Sequence, residues 1–307
     1  MAHTKIHNGW GEHMRVGFIG QGAMGSRMAA RLLGAGHDML VYDRSPEATR
    51  PLEQRGARVS AGPRQLAAEV DIVFSSVTDD AALEQVMFGP DGALAGARPG
   101  TVVIDMSTVS PRMSRRLHEA AQSARVSVLD APVSGSTPQA EQGQLVIFVG
   151  GEEGVYHKCQ PMLAVLGSKT LYLGPSGSGT TMKLCVNTLL GLGVQALAEA
   201  IALGEKSGLP RERLVQVLSE TAVVSPSQKS KLENARKDEY PAAFPLRLML
   251  KDFGLILETA KELSVPMPAT DAAAEVAAGE HTRQLAAHRD EDFSVVVRAM
   301  ERLAGIA

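Results

Sequence analysis

Residues 15–25 read Arg-Val-Gly-Phe-Ile-Gly-Gln-Gly-Ala-Met-Gly, a short apolar run that closes on three spaced glycines. The apolar run predicts a buried strand, and the Ala- and Leu-rich pattern that continues to Gly34 predicts a helix. Residues 38–42 are apolar again and predict a second strand. Together these segments predict a β-α-β unit in which the glycines lie where the first strand meets the helix.

The alternation of strands and helices continues through the first half of the chain. Further strands are predicted over residues 71–76, 101–105, 126–129 and 145–149, with helices over 63–70, 81–86 and 110–123. Repeated alternation of this kind is typical of a largely parallel sheet with helices on both faces.

The pattern changes near residue 177. Residues 180–206 form one helical candidate without a charge between Lys183 and Glu199, so most of its circumference is expected to be buried. Beyond it the pattern is helical, broken by prolines, without a convincing strand. We therefore predict an α/β fold: a loose extension over 1–13, a doubly wound domain over 14–176, and a long interdomain helix with an all-α C-terminal domain over 177–307.

Composition excludes several classes of protein. Of 307 residues, 44% are hydrophobic, and 31 basic against 34 acidic side chains give a formal charge of −3, which argues against nucleic-acid binding. Two cysteines cannot form a disulfide framework, which favours a cytoplasmic location. The longest apolar stretch, residues 184–198, is shorter than the roughly 20 residues of a membrane span. No metal site is predicted, because the histidines of residues 1–13 are interpreted as part of an unstructured tail.

The glycines match the dinucleotide fingerprint G-x-G-x-x-G. The loop would hold a pyrophosphate at the helix N-terminus with the candidate cofactor-binding residues Gly20, Gln21, Gly22, Ala23 and Met24. Asp43 ends the second strand, where a carboxylate accepts from ribose hydroxyls and favours NAD. Arg44 could pair with a 2′-phosphate, so NADP stays open, as does a glycine-rich turn that holds no ligand.

A second set of residues suggests proton transfer. Lys183 and Asn187 are four residues apart and share one helical face. Taken alone, Lys183 could equally be a surface lysine that extends its ammonium to water. A turn after another predicted strand, residues 130–136, can offer backbone N–H groups to an anion, and Lys251-Asp252-Phe253 follows downstream.

These motifs, in this order, closely resemble the β-hydroxyacid dehydrogenase family, whose members include 3-hydroxyisobutyrate dehydrogenase and tartronate semialdehyde reductase. The resemblance runs from Met14 to about residue 300. It implies a Rossmann domain and hydride transfer between NAD(P) and a small carboxylate-bearing substrate in a cleft between domains. It also implies a homodimer or homotetramer formed through the helical domain.

The resemblance implies a role for each matching position. Lys183 matches the catalytic lysine, and Asn187 matches an asparagine that orients the substrate. The implied substrate-binding residues are Ser134, Gly135 and Ser136, and further cofactor-binding residues are Val77, Thr78, Thr108 and Lys251. Asp252 would anchor the region of Lys251 or form a plain structural ion pair.

One departure and two alternatives accompany the resemblance. Ser136 stands where the family often has a second glycine, so it is strained if φ is positive there, and otherwise its hydroxyl could contact a polar substrate substituent. An imine reductase shares the architecture but typically replaces the lysine by Asp or Tyr, which Lys183 argues against. A non-catalytic dinucleotide-binding protein is the other alternative.

Overall fold

The computed structural model describes residues 14–306, and the predicted extension over residues 1–13 lies outside them. The described chain forms two compact units that divide between Lys183 and Leu184. This division lies inside the helix that the sequence predicts as the connection between domains.

The first unit is built on a mixed sheet. Its strands are β1 Arg15–Ile19, β2 Asp38–Tyr42, β3 Arg58–Val59, β4 Ile72–Ser75, β5 Val102–Asp105, β6 Ser127–Asp130, β7 Val133–Ser134, β8 Leu145–Gly151 and β9 Gly167–Gly174. The order β3-β2-β1-β4-β5-β6 is parallel throughout. Strand β8 pairs antiparallel with β6 and β7 and parallel with β9. This arrangement confirms the doubly wound, Rossmann-like prediction.

Helices cover both faces of this sheet. They are α1 Gly25–Gly34, α2 Arg50–Glu53, α3 Pro63–Glu69, α4 Asp80–Met87, α5 Ala93–Gly96, α6 Pro111–Ser123, α7 Thr137–Gln142 and α8 Glu153–Leu166, with a 3-10 turn at Pro46–Ala48. Alternate strand residues point to opposite faces. Thus Phe74 belongs to the same core as Met28 of α1, whereas the preceding Val73 belongs to a separate core with Leu66 of α3.

Helix α9, Ser178–Lys206, begins in the first unit and continues into the second. The expectation that most of its circumference is buried is wrong, because Leu189 is 75% and Leu203 is 71% exposed. The absence of charged residues from this stretch therefore does not mean that protein surrounds the helix on all sides. Among residues 14–306, α9 is also the one helix that is long and apolar enough to cross a membrane. Core helices of soluble proteins meet the same criterion, so this length and composition are weak evidence for a membrane span.

The second unit is helical, as predicted. After α9 come α10 Arg211–Glu220, α11 Pro226–Lys237, α12 Leu246–Glu262, α13 Pro268–Ala286, a 3-10 turn at Phe293–Val295 and α14 Val296–Leu303. Its core joins apolar side chains of α9 to those of the later helices, such as Ile201 with Phe253 and Val296. Prolines occupy the first turns of α11 and α13, where a missing N–H removes no helical hydrogen bond.

Close backbone packing in the first unit yields a matched pair of glycine substitutions. A Cβ built on Gly96 of α5 would lie 1.9 Å from the carbonyl oxygen of Arg64, whereas one built on Gly34 of α1 meets nothing within 4 Å. We expect Gly96→Ala to destabilise the fold by about 1–3 kcal/mol through overpacking. Gly34→Ala should be neutral or stabilising by up to about 1 kcal/mol, because alanine favours the helix. Urea midpoints followed by circular dichroism measure both, and equal midpoints for the two variants would contradict the packing.

Candidate active site

The candidate site residues of the first unit follow the carboxyl ends of five parallel strands. Ile19 pairs with Tyr42 and Ser75, and the register continues from Ser75 to Asp105 and from Asp105 to Asp130. The strands therefore end together, at the edge where doubly wound sheets bind their ligands. The segments that leave this edge carry the fingerprint, Asp43, the loops before α4 and α6, and the substrate turn.

The fingerprint loop has the backbone that a pyrophosphate requires. Gly20 has φ +92°, and a Cβ there would lie 2.2 Å from the carbonyl oxygen of Ser76. A Cβ on Gly25 would lie 2.1 Å from the carbonyl oxygen of Gly20, so α1 approaches β1 closely. A Cβ on Gly22 meets nothing within 4 Å, which leaves that backbone accessible. These features fit a dinucleotide, with the N-terminus of α1 uncapped by any described side chain.

Asp43 links the fingerprint to the end of β2. Its carboxylate accepts from the backbone N–H of Gln21 at 2.7 Å and from that of Ser45 at 2.8 Å. Each carboxylate oxygen can accept more than one hydrogen bond, so Asp43 keeps the capacity to bind ribose hydroxyls. Arg44 is exposed beside it.

A buried carboxylate supports the two neighbouring loops. Asp105 Oδ1 accepts from the hydroxyls of Ser75 and Ser107, each at 2.7 Å. Ser107 Oγ in turn accepts from the backbone N–H of Val77 at 2.9 Å. Thr108 follows Ser107 and is half-buried. Asp105 thereby connects the loop of the predicted cofactor residue Val77 to the loop of Ser107, which Thr108 follows directly.

Burial raises the pKa of Asp105 to about 6, while the hydroxyls of Ser107 and Ser75 oppose the shift. A carboxyl group with a raised pKa binds its proton more tightly in the folded than in the unfolded protein. Its contribution to stability is complete below about pH 4 and is lost as the pH rises through about 6.

The turn predicted to hold the substrate carboxylate is shaped by one glycine and one capped helix. Gly135 has φ +135°, a conformation that favours glycine. Ser136 has φ −114°, so the strain considered for this serine is absent. Ser136 and Gln139 instead form a capping box at the start of α7, in which Gln139 Oε1 accepts from the Ser136 backbone N–H at 3.0 Å, and the Ser136 hydroxyl donates to the same oxygen at 2.6 Å. Ser136 therefore has a structural partner, and its substrate contact stays a prediction.

Asp130, at the end of β6, holds the start of α9. It accepts from the backbone N–H of Gly177 at 2.8 Å and from that of Thr180 at 2.9 Å. Burial raises its pKa, and these backbone donors oppose the shift. Lys183 lies one turn beyond Thr180 and is half-buried.

In the second unit, Asn187 and Lys251 meet at a buried carboxylate. Asn187 Nδ2 donates to Asp252 Oδ2 at 2.5 Å, and Lys251 Nζ lies 2.7 Å from Asp252 Oδ1. Asp252 forms the ion pair with Lys251 that was considered for it, and it also accepts from Asn187, a contact that the sequence did not predict. The buried Oδ1 of Asn187 has no hydrogen-bond partner in the described part of the chain, so it presents a free acceptor.

Sequence reasoning assigned no role to Asp105, Ser107 or Asp130. The sequence offered one indication: each of two buried strands, β5 and β6, ends in an aspartate, a position that places a carboxylate at the edge of the sheet where ligands bind. No group of three or more His, Cys, Asp or Glu side chains suited to a metal ion occurs within residues 14–306.

Two family models match nearly the whole chain. The NAD-binding domain of 6-phosphogluconate dehydrogenase matches residues 15–174, and the NAD-binding domain of NADP-dependent 3-hydroxyisobutyrate dehydrogenase matches residues 177–300. The site residues keep the roles predicted for them above, since these matches name families and not side chains.

Individual relatives agree with the family models. The chain is 36% identical to 2-(hydroxymethyl)glutarate dehydrogenase of Eubacterium barkeri, over 96% of this chain and 97% of that one. It is 35% identical to glyoxylate/succinic semialdehyde reductase 1 of Arabidopsis thaliana, over 94% and 99%. The structure of Mycobacterium tuberculosis 3-hydroxyisobutyrate dehydrogenase with L-serine superposes with a TM-score of 0.84 at 31% identity, over 94% and 99%.

Imine reductases also occur among the similar structures, at 19–23% identity, a likeness that shows the fold alone. The fingerprint geometry, both family models and the relatives above agree on one assignment. The chain belongs to the β-hydroxyacid dehydrogenase family and is an NAD(P)-dependent oxidoreductase.

Proposed function

We propose that this enzyme interconverts a β-hydroxyacid and its semialdehyde or keto form, with Lys183 as the general acid and base. The observation that carries the proposal is the start of α9. Asp130 fixes this helix at the end of β6, and the substrate turn at Ser134 begins only four residues after Asp130. Lys183 and the carboxylate turn therefore belong to one hydrogen-bonded framework.

The bound nicotinamide supplies or accepts a hydride at its C4 atom. Lys183 removes the hydroxyl proton of the substrate during oxidation and returns a proton to the carbonyl oxygen during reduction. The turn at Ser134 and Gly135 holds the substrate carboxylate, which orients the carbinol carbon and lowers the entropic cost of reaction. Asn187 Oδ1, which has no partner in the described part of the chain, can accept from a second donor of the substrate, because the single hydroxyl proton goes to Lys183.

The substrate class follows from the relatives and from these groups. The names of the relatives specify a hydroxymethyl dicarboxylate, glyoxylate, succinic semialdehyde and 3-hydroxyisobutyrate, all of which combine a carboxylate with an oxidisable or reducible carbon. We infer a small substrate of this kind, of the 3-hydroxyisobutyrate or 2-hydroxy-3-oxopropionate type. The imine reductase alternative is disfavoured by Lys183, because a lysine serves a hydroxyl or carbonyl oxygen as acid and base.

Replacement of Lys183 tests the proposed chemistry. A panel of 3-hydroxyisobutyrate, L-serine, threonate and tartronate semialdehyde, assayed at the NAD(P)H absorbance band, identifies the best substrate. With it, we expect Lys183→Ala to lower kcat by about a hundredfold or more while the NADH Kd changes less than about twofold. Lys183→Arg should be similarly impaired, because a guanidinium keeps the charge but does not release its proton near neutral pH.

Lys206→Ala serves as the matched control, since Lys206 ends the same helix and its ammonium contacts the carbonyl oxygen of Gly305. Its kcat should stay near that of the wild type. Near-normal turnover by Lys183→Ala would overturn the assignment. Cofactor binding without turnover across the panel would support the non-catalytic alternative.

We infer that NAD is preferred to NADP. Asp43 brings a carboxylate to the end of β2, where the adenosine ribose of a dinucleotide lies in this fold. That charge would repel a 2′-phosphate. Arg44 could offset the repulsion or stack on the adenine, and its exposed position permits either.

Asp43→Asn removes this charge and keeps an acceptor oxygen. We expect the ratio of kcat/KM with NADP to that with NAD to rise by about tenfold, equivalent to about 1.4 kcal/mol. Asp38→Asn is the matched control, because Asp38 is an aspartate at the opposite end of β2 and pairs with Arg58. A wild type that prefers NADP, or an unchanged ratio in Asp43→Asn, would contradict the inferred preference.

We propose that the enzyme is a homo-oligomer that pairs the exposed face of α9 with a second copy. Leu189, Ala196 and Leu203 recur at seven-residue intervals on α9, and all three are exposed. Apolar residues at this spacing form a continuous stripe along a helix. A second α9 would cover such a stripe and remove its apolar surface from water.

Leu203→Glu tests this interface by placing a charge in it. We expect the mass measured by light scattering to fall from that of a dimer or tetramer towards a smaller species at micromolar concentration. Leu263→Glu is the control, since Leu263 follows α12 and is 67% exposed without belonging to the stripe. A monomeric wild type, or equal masses for all three proteins, would contradict this interface.

We propose a cytoplasmic location. Both cysteines, the buried Cys159 and the exposed Cys185, are free thiols, which suits a reducing compartment. Detection of the tagged protein in fractionated cells measures the location, and its recovery outside the cytoplasmic fraction would contradict the proposal.

A further inference from the structure

We propose that Asp130 is a positioning residue for Lys183: its buried carboxylate caps the N-terminus of α9 and so sets the place of the lysine relative to the substrate turn. This role rests on the proposed function of Lys183. Asp130 acts through the backbone of α9, and its carboxylate is not proposed to contact the substrate or the Lys183 ammonium.

The hydrogen bonds of Asp130 replace a complete capping box. In a capping box, the N-cap side chain accepts from the N–H of the third helical residue, whose own side chain accepts from the N–H of the N-cap residue. Helix α9 begins at Ser178, so its N-cap is Gly177 and its third residue is Thr180. Asp130 Oδ1 accepts from Gly177 N and Asp130 Oδ2 from Thr180 N.

Asp130 therefore does alone what two local side chains do elsewhere in the chain. Helix α11 starts with the local capping box of Ser225 and Gln228, and α7 with that of Ser136 and Gln139. Gly177 has no side chain with which to cap α9. The cap comes instead from a residue 47 positions earlier, so it also ties the helix to the sheet.

Close packing of glycines leaves the helix little freedom at this contact. A Cβ on Gly150 of β8 would lie 2.6 Å from Asp130 Oδ1, and one on Gly179 of α9 would lie 2.9 Å from Asp130 Oδ2. The Gly179 Cβ would also lie 2.4 Å from the carbonyl oxygen of Phe148. Side chains at either position would separate the helix start from the sheet, so the glycines allow the carboxylate to reach two backbone N–H groups at once.

Electrostatics favour the same arrangement. The N-terminus of a helix carries a partial positive charge, which a carboxylate stabilises most where water is excluded. Asp130 and Thr180 are both buried, and Thr180 Oγ1 adds a contact of 3.4 Å to Asp130 Oδ2. An asparagine would keep one acceptor but would direct an N–H group at a backbone N–H.

Lys183 follows this clamp closely. It lies three residues after Thr180, about one helical turn, so a displacement of the helix start is carried directly to the lysine. Asp130 also precedes the turn at Ser134 by four residues, with Ala131 N bonded to the carbonyl oxygen of Asp105 and Phe148 N to that of Pro132. One carboxylate thus locates the predicted proton carrier against the segment that holds the substrate.

Asp130→Asn, Lys183→Ala and the double variant form the test. We expect Asp130→Asn to lower kcat by about 10- to 100-fold, since a shift of about 1 Å at a positioned group has effects of that size. The NADH Kd should change less than about twofold, because the fingerprint is untouched. In the Lys183→Ala background the same substitution should cost less than about twofold, because a residue that acts through the lysine has no further effect once the lysine is gone.

Two further variants separate positioning from general destabilisation. Thr180→Val keeps the shape of the side chain but removes the hydroxyl, which lies 3.0 Å from the Gly177 carbonyl oxygen and 3.4 Å from Asp130 Oδ2, while the backbone donors to Asp130 remain. We therefore expect a smaller fall in kcat in a well-folded protein. Asp292→Asn alters another fully buried capping aspartate, which accepts from Ser294 N and Lys231 in the second unit. It should lower the melting temperature and leave kcat within about twofold of the wild type at 25 °C.

A readout independent of turnover comes from hydrogen–deuterium exchange of the protein without added cofactor. In Asp130→Asn, the amides of residues 177–183 should exchange faster, and those of Gly25–Gly34 should not change. Unchanged exchange at the start of α9 would overturn the capping role even if kcat fell.

The kinetic outcomes distinguish the two levels of the proposal. An active wild type in which the losses from Asp130→Asn and Lys183→Ala multiply would overturn the positioning role alone. A wild type inactive across the substrate panel would overturn the proposed function and this role with it.

Discussion

Parallel hydrogen bonding between β1, β2, β4, β5 and β6 brings the carboxyl ends of five strands to one edge, and the candidate site depends on that alignment. Each strand leads at this edge into one predicted part of the site: the fingerprint, Asp43, the Val77 loop, the Thr108 loop and the Ser134 turn. These segments are far apart in sequence, and no local motif could bring them together. The register of the sheet does so through backbone pairing of the strands.

The same edge buries two carboxylates in adjacent strands. Asp105 and Asp130 are register partners, and the charge of Asp130 adds to the burial that raises the pKa of Asp105. A buried charge is unfavourable unless donors surround it. Asp105 obtains hydroxyl donors from Ser75 and Ser107, whereas Asp130 obtains backbone donors from α9. Burial of each carboxylate lowers the stability of the fold, and its hydrogen bonds hold separate segments of the chain in a defined geometry.

Periodicity and glycine spacing predicted much of this fold from the sequence. Strand β1, strand β2 and the fingerprint loop lie where the sequence predicts them, because the conformation of each depends on residues only a few positions apart. Helix α8 and strand β9 were missed. A proline inside α8 weakens its helical pattern, and β9 is a half-exposed strand with no continuous apolar run. The contact between Asp130 and α9 joins residues 47 positions apart, which no local pattern encodes.

Two further differences have local causes. The stretch Ser136-Thr-Pro-Gln139 has the S-x-x-Q spacing of a capping box, so the structural role of Ser136 could have been predicted from the sequence. In α9, the lack of charges indicated burial, yet Leu189 and Leu203 are exposed. Hydropathy describes what a surface prefers to contact, so an uncharged stretch does not by itself distinguish a buried face from an exposed apolar one.

The rotational position of helix α9 about its axis determines where Lys183 and Asn187 lie. A helix advances about 1.5 Å and turns about 100° per residue, so a slip of one position would turn Lys183 away from its predicted position and Asn187 away from Asp252. Packing of Leu and Ala side chains alone resists such a slip weakly, because neighbouring aliphatic residues have similar shapes. Hydrogen bonds to Gly177 N and Thr180 N are specific to one register, since a slipped helix would present different N–H groups at different angles to Asp130. The buried polar cap therefore fixes the register of α9 at its start, and the buried hydrogen bond from Asn187 to Asp252 does the same further along the helix.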